Sequence, residues 1–439
     1  MDLPVDTQFQ QLLVDREWDK ARKVVRGLFK LMSKGTDSDP TSPINHPIRV
    51  ANSAAQHPIV YLPVEIKARE FAAKCKLAKQ LSELGLDVVI GACWPMQTKR
   101  YTDWPPGIIL FKTLNRLDAA NMAQANKSGH IVTVLDEEAF SRPTSKDAVV
   151  NHATWSVNTE PDAVEYADTI YCQGWPTASQ YAELGIDAGK LIVRGNPRSS
   201  IIEAVPVDNS PANISLICGM SGTINGQRGF YTTIVGTIRQ MFTDDRRGSG
   251  IAQFEQQCLR EIEVMEAIRN KIESEAQYAD RTVIFRPHPA EGVGLWGRIL
   301  PPNVVLDSSG SVPDHLATAR RIFHVEECGV GLEGHLMGLD ARMEPIGGDN
   351  PWWEFQDIFV TNRSVAKDIA EHMKAAYITE DIHADLHRMY LNRRSDFNFS
   401  PFHLRKFPLT PKKECAILLG MDESRVMELE TNLWYIRAE

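Results

Sequence analysis

The sequence predicts an α/β protein made of two parallel-sheet domains of similar size, each with helices on both faces. Three observations carry that reading. The chain is 439 residues long, enough for two to three domains at about 150 residues each. Short apolar runs alternate with helix-patterned segments, the signature of strands joined by crossover helices. The alternation stops at PVDNSP (206–211) and then begins a second time.

Composition supports the same class. Hydrophobic residues make up 43% of the chain and charged residues 24%, which suits a globular protein and excludes a disordered, collagen-like or disulfide-stapled one. With 48 Lys and Arg against 57 Asp and Glu the net charge is −9. Binding along a nucleic-acid backbone needs clustered cations and is not expected. A single anion held by local geometry remains compatible with that charge.

Residues 1–33 read as helical, with Phe9, Leu12, Leu13, Trp18, Val24, Val25, Leu28 and Leu31 recurring at three- and four-residue steps. Residues 34–47, rich in Gly, Ser, Pro and Asp, read as a linker. A strand is then expected at 59–63, followed by a helix over 65–84 that Gly85 ends by tolerating a left-handed backbone. Strands follow at 87–91 and 107–111, a helix at 115–127 and a strand at 130–135. The series closes with a strand at 166–171, a helix at 178–184 and a strand at 190–193. After the break come strands at 214–218, 282–285, 304–306 and 321–325, with helices over 251–277, 312–319 and 331–337. The expected division is 1–48 (helical extension and linker), 49–208 (first domain), 209–380 (second domain) and 381–439 (a tail packing back on the body). Open parallel sheets bind ligands beyond the carboxyl ends of their strands, which places the expected active site in the cleft between the domains.

Seven scattered cysteines, odd in number and without a C-x-x-C pair, predict reduced thiols in the cytoplasm. The first residues lack the basic and apolar regions of a signal peptide, and no run approaches the ~18 apolar residues of a spanning helix. A peripheral place at the inner membrane is compatible with this.

Four segments at strand ends carry chemistry. Strand 282–285 runs into Arg286-Pro287-His288-Pro289, where two prolines fix the backbone around His288. Arg286 suits a phosphate, and His288 is placed to donate to the same anion or to protonate it. Its alternative is a plain turn. Ser308, Ser309 and Ser311, between a strand and a helix, match an anion cradle, or an ordinary serine cap. Gly329 to Gly334 matches G-x-G-x-x-G without the acidic strand end of a dinucleotide site, Asp349 lying instead in a turn. Gly331 is then read as a backbone cradle and Glu333 as a ribose ligand, or as a first-turn acid. Asp136-Glu137-Glu138 places three carboxylates at one strand end, where mutual repulsion raises at least one pKa toward a useful range. His324, Glu326, Glu327, Cys328, Glu333 and His335 crowd one stretch without a zinc spacing, so no metal is expected. No G-x-S-x-G elbow occurs, Gly219-Met220-Ser221-Gly222-Thr223 being the nearest approach.

Taken in order, Pro63-Val64-Glu65-Ile66-Lys67-Ala68-Arg69-Glu70-Phe71, Asp136-Glu137-Glu138, Gly195-Asn196-Pro197-Arg198, Arg286-Pro287-His288-Pro289 and Gly331-Leu332-Glu333 resemble the bacterial surface-carbohydrate (capsule and lipopolysaccharide) biosynthesis proteins. The nearest likeness is to their CMP-sugar-dependent Kdo and sialic acid transferases. The resemblance implies the GT-B architecture, two Rossmann-like domains facing across a cleft, with 49–208 as acceptor domain and 209–380 as nucleotide-donor domain. It implies transfer of Kdo or a related ulosonic acid from a CMP donor to a glycan or glycolipid acceptor, with no cofactor beyond that donor. Glu137, then Glu138, would be the base, and His288, Arg286, Ser308, Ser309, Ser311, Gly331 and Glu333 the phosphate and nucleotide ligands. Ser199-Ser200 stands where relatives commonly carry Asp, leaving the stereochemical outcome open. The alternatives are another enzyme on this architecture, such as a nucleotide-sugar 2-epimerase or a glycerol-phosphate transferase, or a non-catalytic scaffold of polysaccharide assembly.

Overall fold

A computed structural model describes residues 4–32, 59–93, 104, 106–114, 116–137, 161–183, 185–202, 206–207, 213–219, 221–241, 247–325, 328–344, 365–376, 379–393, 426–430 and 433–436. The expected linker at 34–47 and residues 401–411 of the expected tail lie outside them. The chain divides into two units. One comprises Ser42–Ala139, Ser156–Ala204 and Glu371–Glu439, the other Met1–Thr41, Phe140–Trp155 and Val205–Ala370.

The first of these is built on an eight-stranded sheet. Its parallel part is β1 (Ile59–Val64), β2 (Asp87–Ala92), β3 (Ile108–Phe111), β4 (Ile131–Leu135), β5 (Thr169–Cys172) and β6 (Leu191–Val193), in the order β2-β1-β3-β4-β5-β6. β1, β3, β4 and β5 are buried along their whole length. That burial accounts for their unbroken apolar sequences, because a parallel sheet is covered on both faces. The helix Ala72–Glu83 lays Ala73, Leu77, Ala78 and Leu81 into the core, and Gly85 ends it at φ +91. A single helix over 65–84 was expected. Instead the segment opens with a wider π-helical turn, Lys67–Phe71, before the α-helix begins. Gly107 enters β3 so close to β1 that a Cβ there would lie 2.5 Å from the Ile59 carbonyl oxygen.

The other unit has five parallel strands, β7 (Ile214–Cys218), β8 (Thr282–Arg286), β9 (Val304–Leu306), β10 (Arg321–Val325) and β11 (Ala341–Glu344), in the order β11-β10-β7-β8-β9. A 30-residue helix, Arg247–Ala276, supports its core through Phe254, Cys258, Ile262, Met265 and Ile268. The N-terminal segment belongs to this unit and is helical as expected, in two helices, Pro4–Val14 and Trp18–Met32. Arg16, at φ +59, turns the chain between them. The turn lets Phe9 and Leu13 from one helix and Ala21, Val25 and Phe29 from the other reach the same core. Phe9 stacks on Phe230 with ring centroids 4.0 Å apart, and Phe29 meets Phe254 edge-on.

The chain's end returns to the eight-stranded sheet. β12 (Val426–Glu430) and β13 (Leu433–Ile436) form a hairpin whose second strand pairs antiparallel with β2, Ile436 opposite Val88. The edge of β2 is thereby paired rather than left as an open template. The helix Thr379–Arg393 adds Ile382 and Leu386 to that core, and Asp385 accepts a hydrogen bond from Arg194 at 2.7 Å. Among the described residues no helix is long and apolar enough to cross a membrane.

Because Phe9 is fully buried on Phe230, Phe9→Ala should cost the five-stranded unit about 3–5 kcal/mol. Urea unfolding followed by tryptophan fluorescence should show the lowered midpoint.

Candidate functional site

In the eight-stranded unit β1, β3, β4, β5 and β6 each deliver a charged or polar group to the carboxyl edge of the sheet, and several of these groups are fully buried. After β1 the π-helical turn swings Glu70 back, so that its carboxylate accepts the N–H groups of Glu65 (2.9 Å) and Ile66 (3.3 Å). One turn on, the Lys74 ammonium donates to the Pro63 carbonyl (2.7 Å) and to Glu70 Oε2 (3.2 Å). It also stands 3.3 Å from Glu137 Oε2, an ion-pair distance outside hydrogen-bond geometry. From the end of β3, Lys112 reaches Glu65 Oε2 (2.5 Å) and Glu70 Oε1 (3.0 Å). Glu137 follows β4, its backbone N–H donating to the Lys112 carbonyl. Asp136 beside it accepts the Tyr181 hydroxyl at 2.7 Å.

The two central carboxylates are driven in opposite directions. Burial pushes Glu70 up, but Lys74, Lys112 and the Glu65 N–H together outweigh it and hold the carboxyl well below the usual range. For Glu137 burial dominates, and Lys74, Lys112 and Arg198 only partly offset it, so its pKa is raised. Two carboxyls pushed apart in this way are suited to different roles: one stays an anion, the other can take and return a proton. Nearby Asp118, buried and bonded to the Thr113 hydroxyl at 2.7 Å, is raised to about 6 by its burial.

Three more side chains at this edge are fully buried and carry unspent hydrogen-bonding atoms. Both amide atoms of Gln173 (after β5), the Thr177 hydroxyl and the Asn196 Nδ2 have no hydrogen-bond partner. Asn196 Oδ1 is spent, accepting the Arg198 N–H at 2.9 Å. Unsatisfied groups of this kind are uncommon in folded proteins.

Sequence reasoning selected Glu137 at this edge and missed Glu70, Lys74 and Lys112. A signal was present. Positions 70, 74, 77 and 81 form one helical stripe, and Leu77 and Leu81 on it are core residues. Two opposite charges on a buried stripe must pair with each other or with something equally buried. Glu138 lies outside the described residues.

At the carboxyl edge of the five-stranded sheet the predicted residues take up other duties. Arg286, at the end of β8, donates to the carbonyls of Ser309 and Gly310 and lies 3.2 Å from His315 Nδ1. Its guanidinium clamps the loop after β9. Within that loop Ser309 donates both its hydroxyl (2.6 Å) and its N–H (2.8 Å) to Asp307, and the Ser311 hydroxyl donates to Asp314 (2.6 Å). Ser311 and Asp314 form a reciprocal cap on the helix Val312–Thr318. Hydrogen bonds from Ser309 and His315 hold Asp307 far below the usual range, and those from Ser311 lower Asp314. The loop is therefore a self-satisfied cap with two ionised carboxylates, the second of the two readings the sequence left open, a cradle or a cap. Ser308 is exposed.

His288 stands on the neighbouring loop. Its Nδ1 accepts the Ala290 N–H at 3.2 Å, which in the neutral ring places the proton on Nε2. Buried Glu291 braces this loop, accepting the N–H groups of Ser221 (2.7 Å) and His288 (3.3 Å) and the Trp296 indole N–H. Gly331 and Glu333 are buried in the helix Gly329–Leu336 after β10, where Gly334 packs so near Ala341 that a Cβ would lie 2.8 Å from the alanine methyl. Glu326, Glu327 and Asp349 lie outside the described residues. Among the described residues no cluster of metal-ligating side chains occurs.

No protein family matches the chain, and no curated protein is detectably similar to it in sequence. Solved structures do resemble it. They include an S. aureus MnaA–UDP co-structure, at 12% identity and a TM-score of 0.46, covering 77% of this chain and 97% of that one. Others are UDP-GlcNAc 2-epimerase from Neisseria meningitidis bound to UDP-GlcNAc (10%, TM-score 0.41, 78% and 100%) and that from Methanocaldococcus jannaschii with UDP-GlcNAc and UDP (9%, TM-score 0.43, 77% and 100%). The expected class of two Rossmann-like α/β domains stands on the two sheets of parallel strands. The expectation of a CMP-dependent Kdo or sialic acid transferase is corrected, the Neisseria meningitidis and Methanocaldococcus jannaschii structures being of UDP-GlcNAc 2-epimerases. The closed hydrogen bonding of the Ser309 and Ser311 hydroxyls removes one local support for that expectation as well.

The loop after β7 supplies a pH test. Buried Glu261 accepts the N–H groups of Thr223 (2.8 Å) and Ile224 (3.0 Å), and its burial raises its pKa to about 7. The folded protein thus binds a proton that the unfolded chain, at 4.5, has released. Stability contributed by that proton is full below pH 4.5 and is lost as pH rises through 7, a loss of roughly 3 kcal/mol. In Glu261→Gln the melting temperature should fall less across this window than in the wild type, as calorimetry would show.

Proposed function

We propose that the chain is an enzyme acting on a nucleotide-sugar, of the 2-epimerase type, in which Glu137 moves a proton at the sugar ring. The observation that carries this reading is the buried pair at the edge of the eight-stranded sheet: Glu137 with raised proton affinity and Glu70 held as an anion, both on Lys74. Inversion at a sugar carbon removes a proton from one face and returns one to the other; Glu137 is the group proposed for one of these transfers, and Glu70, held as an anion, carries out neither.

Burial suits Glu137 to this chemistry. It is 1% exposed, and a carboxylate removed from water is a stronger base toward a weakly acidic C–H, since it gives up little hydration on accepting the proton. No metal or cofactor enters the proposal.

The test uses UDP-GlcNAc, the compound held in the Neisseria meningitidis and Methanocaldococcus jannaschii structures, in deuterated buffer, followed by proton NMR. The wild type should form the epimer with solvent deuterium at the inverted carbon. Glu137→Gln should slow this by about 10²–10⁴-fold while leaving nucleotide-sugar binding within a few-fold. Failure of the wild type to exchange that proton in any of a panel of UDP-hexoses would overturn the reading.

A further inference from the structure

Glu137 Oε2 makes no hydrogen bond and stands 3.3 Å from the Lys74 ammonium. Glu70, by contrast, is fixed by two backbone N–H groups and by Lys112. Lys74 is fixed too: one N–H goes to the Pro63 carbonyl on β1 and another to Glu70. An ammonium has three donors; two are spent on these anchors, and the contact with Glu137 is an ion pair rather than a third hydrogen bond.

We propose that Lys74 is the positioning residue of Glu137, its ammonium anchored by the Pro63 carbonyl and Glu70 at an ion-pair distance from which its charge orients the Glu137 carboxylate for proton transfer. This rests on the reading of Glu137 given above. Glu70 is then the fixed counter-charge of the trio. When Glu137 accepts a proton, the pairing of Lys74 passes to Glu70 alone; when it releases the proton, Lys74 is shared again. A base buried this deeply would otherwise take up a proton and keep it. Lys74 makes the ionised form accessible without exposing the carboxylate to water. The other charges acting on Glu137 are Glu70 and Lys112 from the same cluster and Arg198 after β6, with Asp136 adjacent in sequence.

The deciding measurement is a titration of the Glu137 side-chain carbon by ¹³C NMR in the full-length labelled protein without substrate, the signal assigned by its loss in Glu137→Gln. Lys74→Met should move the midpoint up by roughly 1–3 pH units, Lys74→Arg should restore most of that shift, and Glu70→Gln should move it down. Opposite shifts from the two neutralising substitutions cannot come from general loosening of the fold, and Glu70→Gln decides the matter alone should Lys74→Met not fold. With UDP-GlcNAc, Lys74→Met should lower kcat tenfold or more with KM within about twofold. An unmoved Glu137 midpoint, or shifts of the same sign, would overturn the role of Lys74. Opposite shifts in a protein that turns over no UDP-hexose would uphold it and count against the epimerase reading instead.

Discussion

One buried ammonium shared by two carboxylates organises the carboxyl edge of the eight-stranded sheet. Lys74 is almost completely enclosed, as are Glu70 and Glu137. Breaking a buried pair of this kind by removing one partner typically costs about 3–5 kcal/mol, whereas a well-packed apolar replacement of the whole set can be neutral or better. Stability therefore does not explain why a chain would keep three charges here. Unequal proton affinity does. Backbone donors and Lys112 secure Glu70 as an anion, whereas burial outweighs the cations around Glu137 and leaves it to titrate.

The wide turn at Lys67–Phe71 is part of the same arrangement. A regular α-helix beginning directly after β1 would satisfy its first N–H groups with a cap from its own first turn. Here the wider turn allows Glu70 to reach back to the N–H groups of Glu65 and Ile66, and the α-helix resumes in time to place Lys74 one turn above it. π-helical turns of this kind recur at functional sites. The irregular turn and the positioning of the ion cluster are one feature seen from two sides.

The five-stranded unit works by a different logic. Its loops are tied down by local acids: Asp307 and Asp314 with the serines beside them, Glu291 across the loops after β7 and β8, and Glu261 on the turn at Thr223 and Ile224. Arg286 closes the set by clamping the serine loop through its carbonyls. In this scaffold His288 is braced through its own backbone and Nδ1.

Most strands were legible in the sequence, because an apolar run of four to six residues buried on both faces has few other folds open to it. β9 and β10 fall on the expected residues, and Gly85 ends its helix in the left-handed conformation expected of it. The break at Arg16, the return of β13 to β2 and the π-helical turn were not legible. Each depends on a partner far away in the chain: Phe230 and the core beneath it, the open edge of β2, and the charges of Lys112 and Glu137. The serine loop was legible as a cap or a cradle, and only the positions of Asp307 and Asp314 decided for the cap. Sequence alone determined two α/β units and a carboxylate at the end of β4, since periodicity and strand ends are local properties. Tertiary structure decided which carboxylate can hold a proton, because burial and the distance to an ammonium from another element set that affinity, and neither exists until the chain has folded.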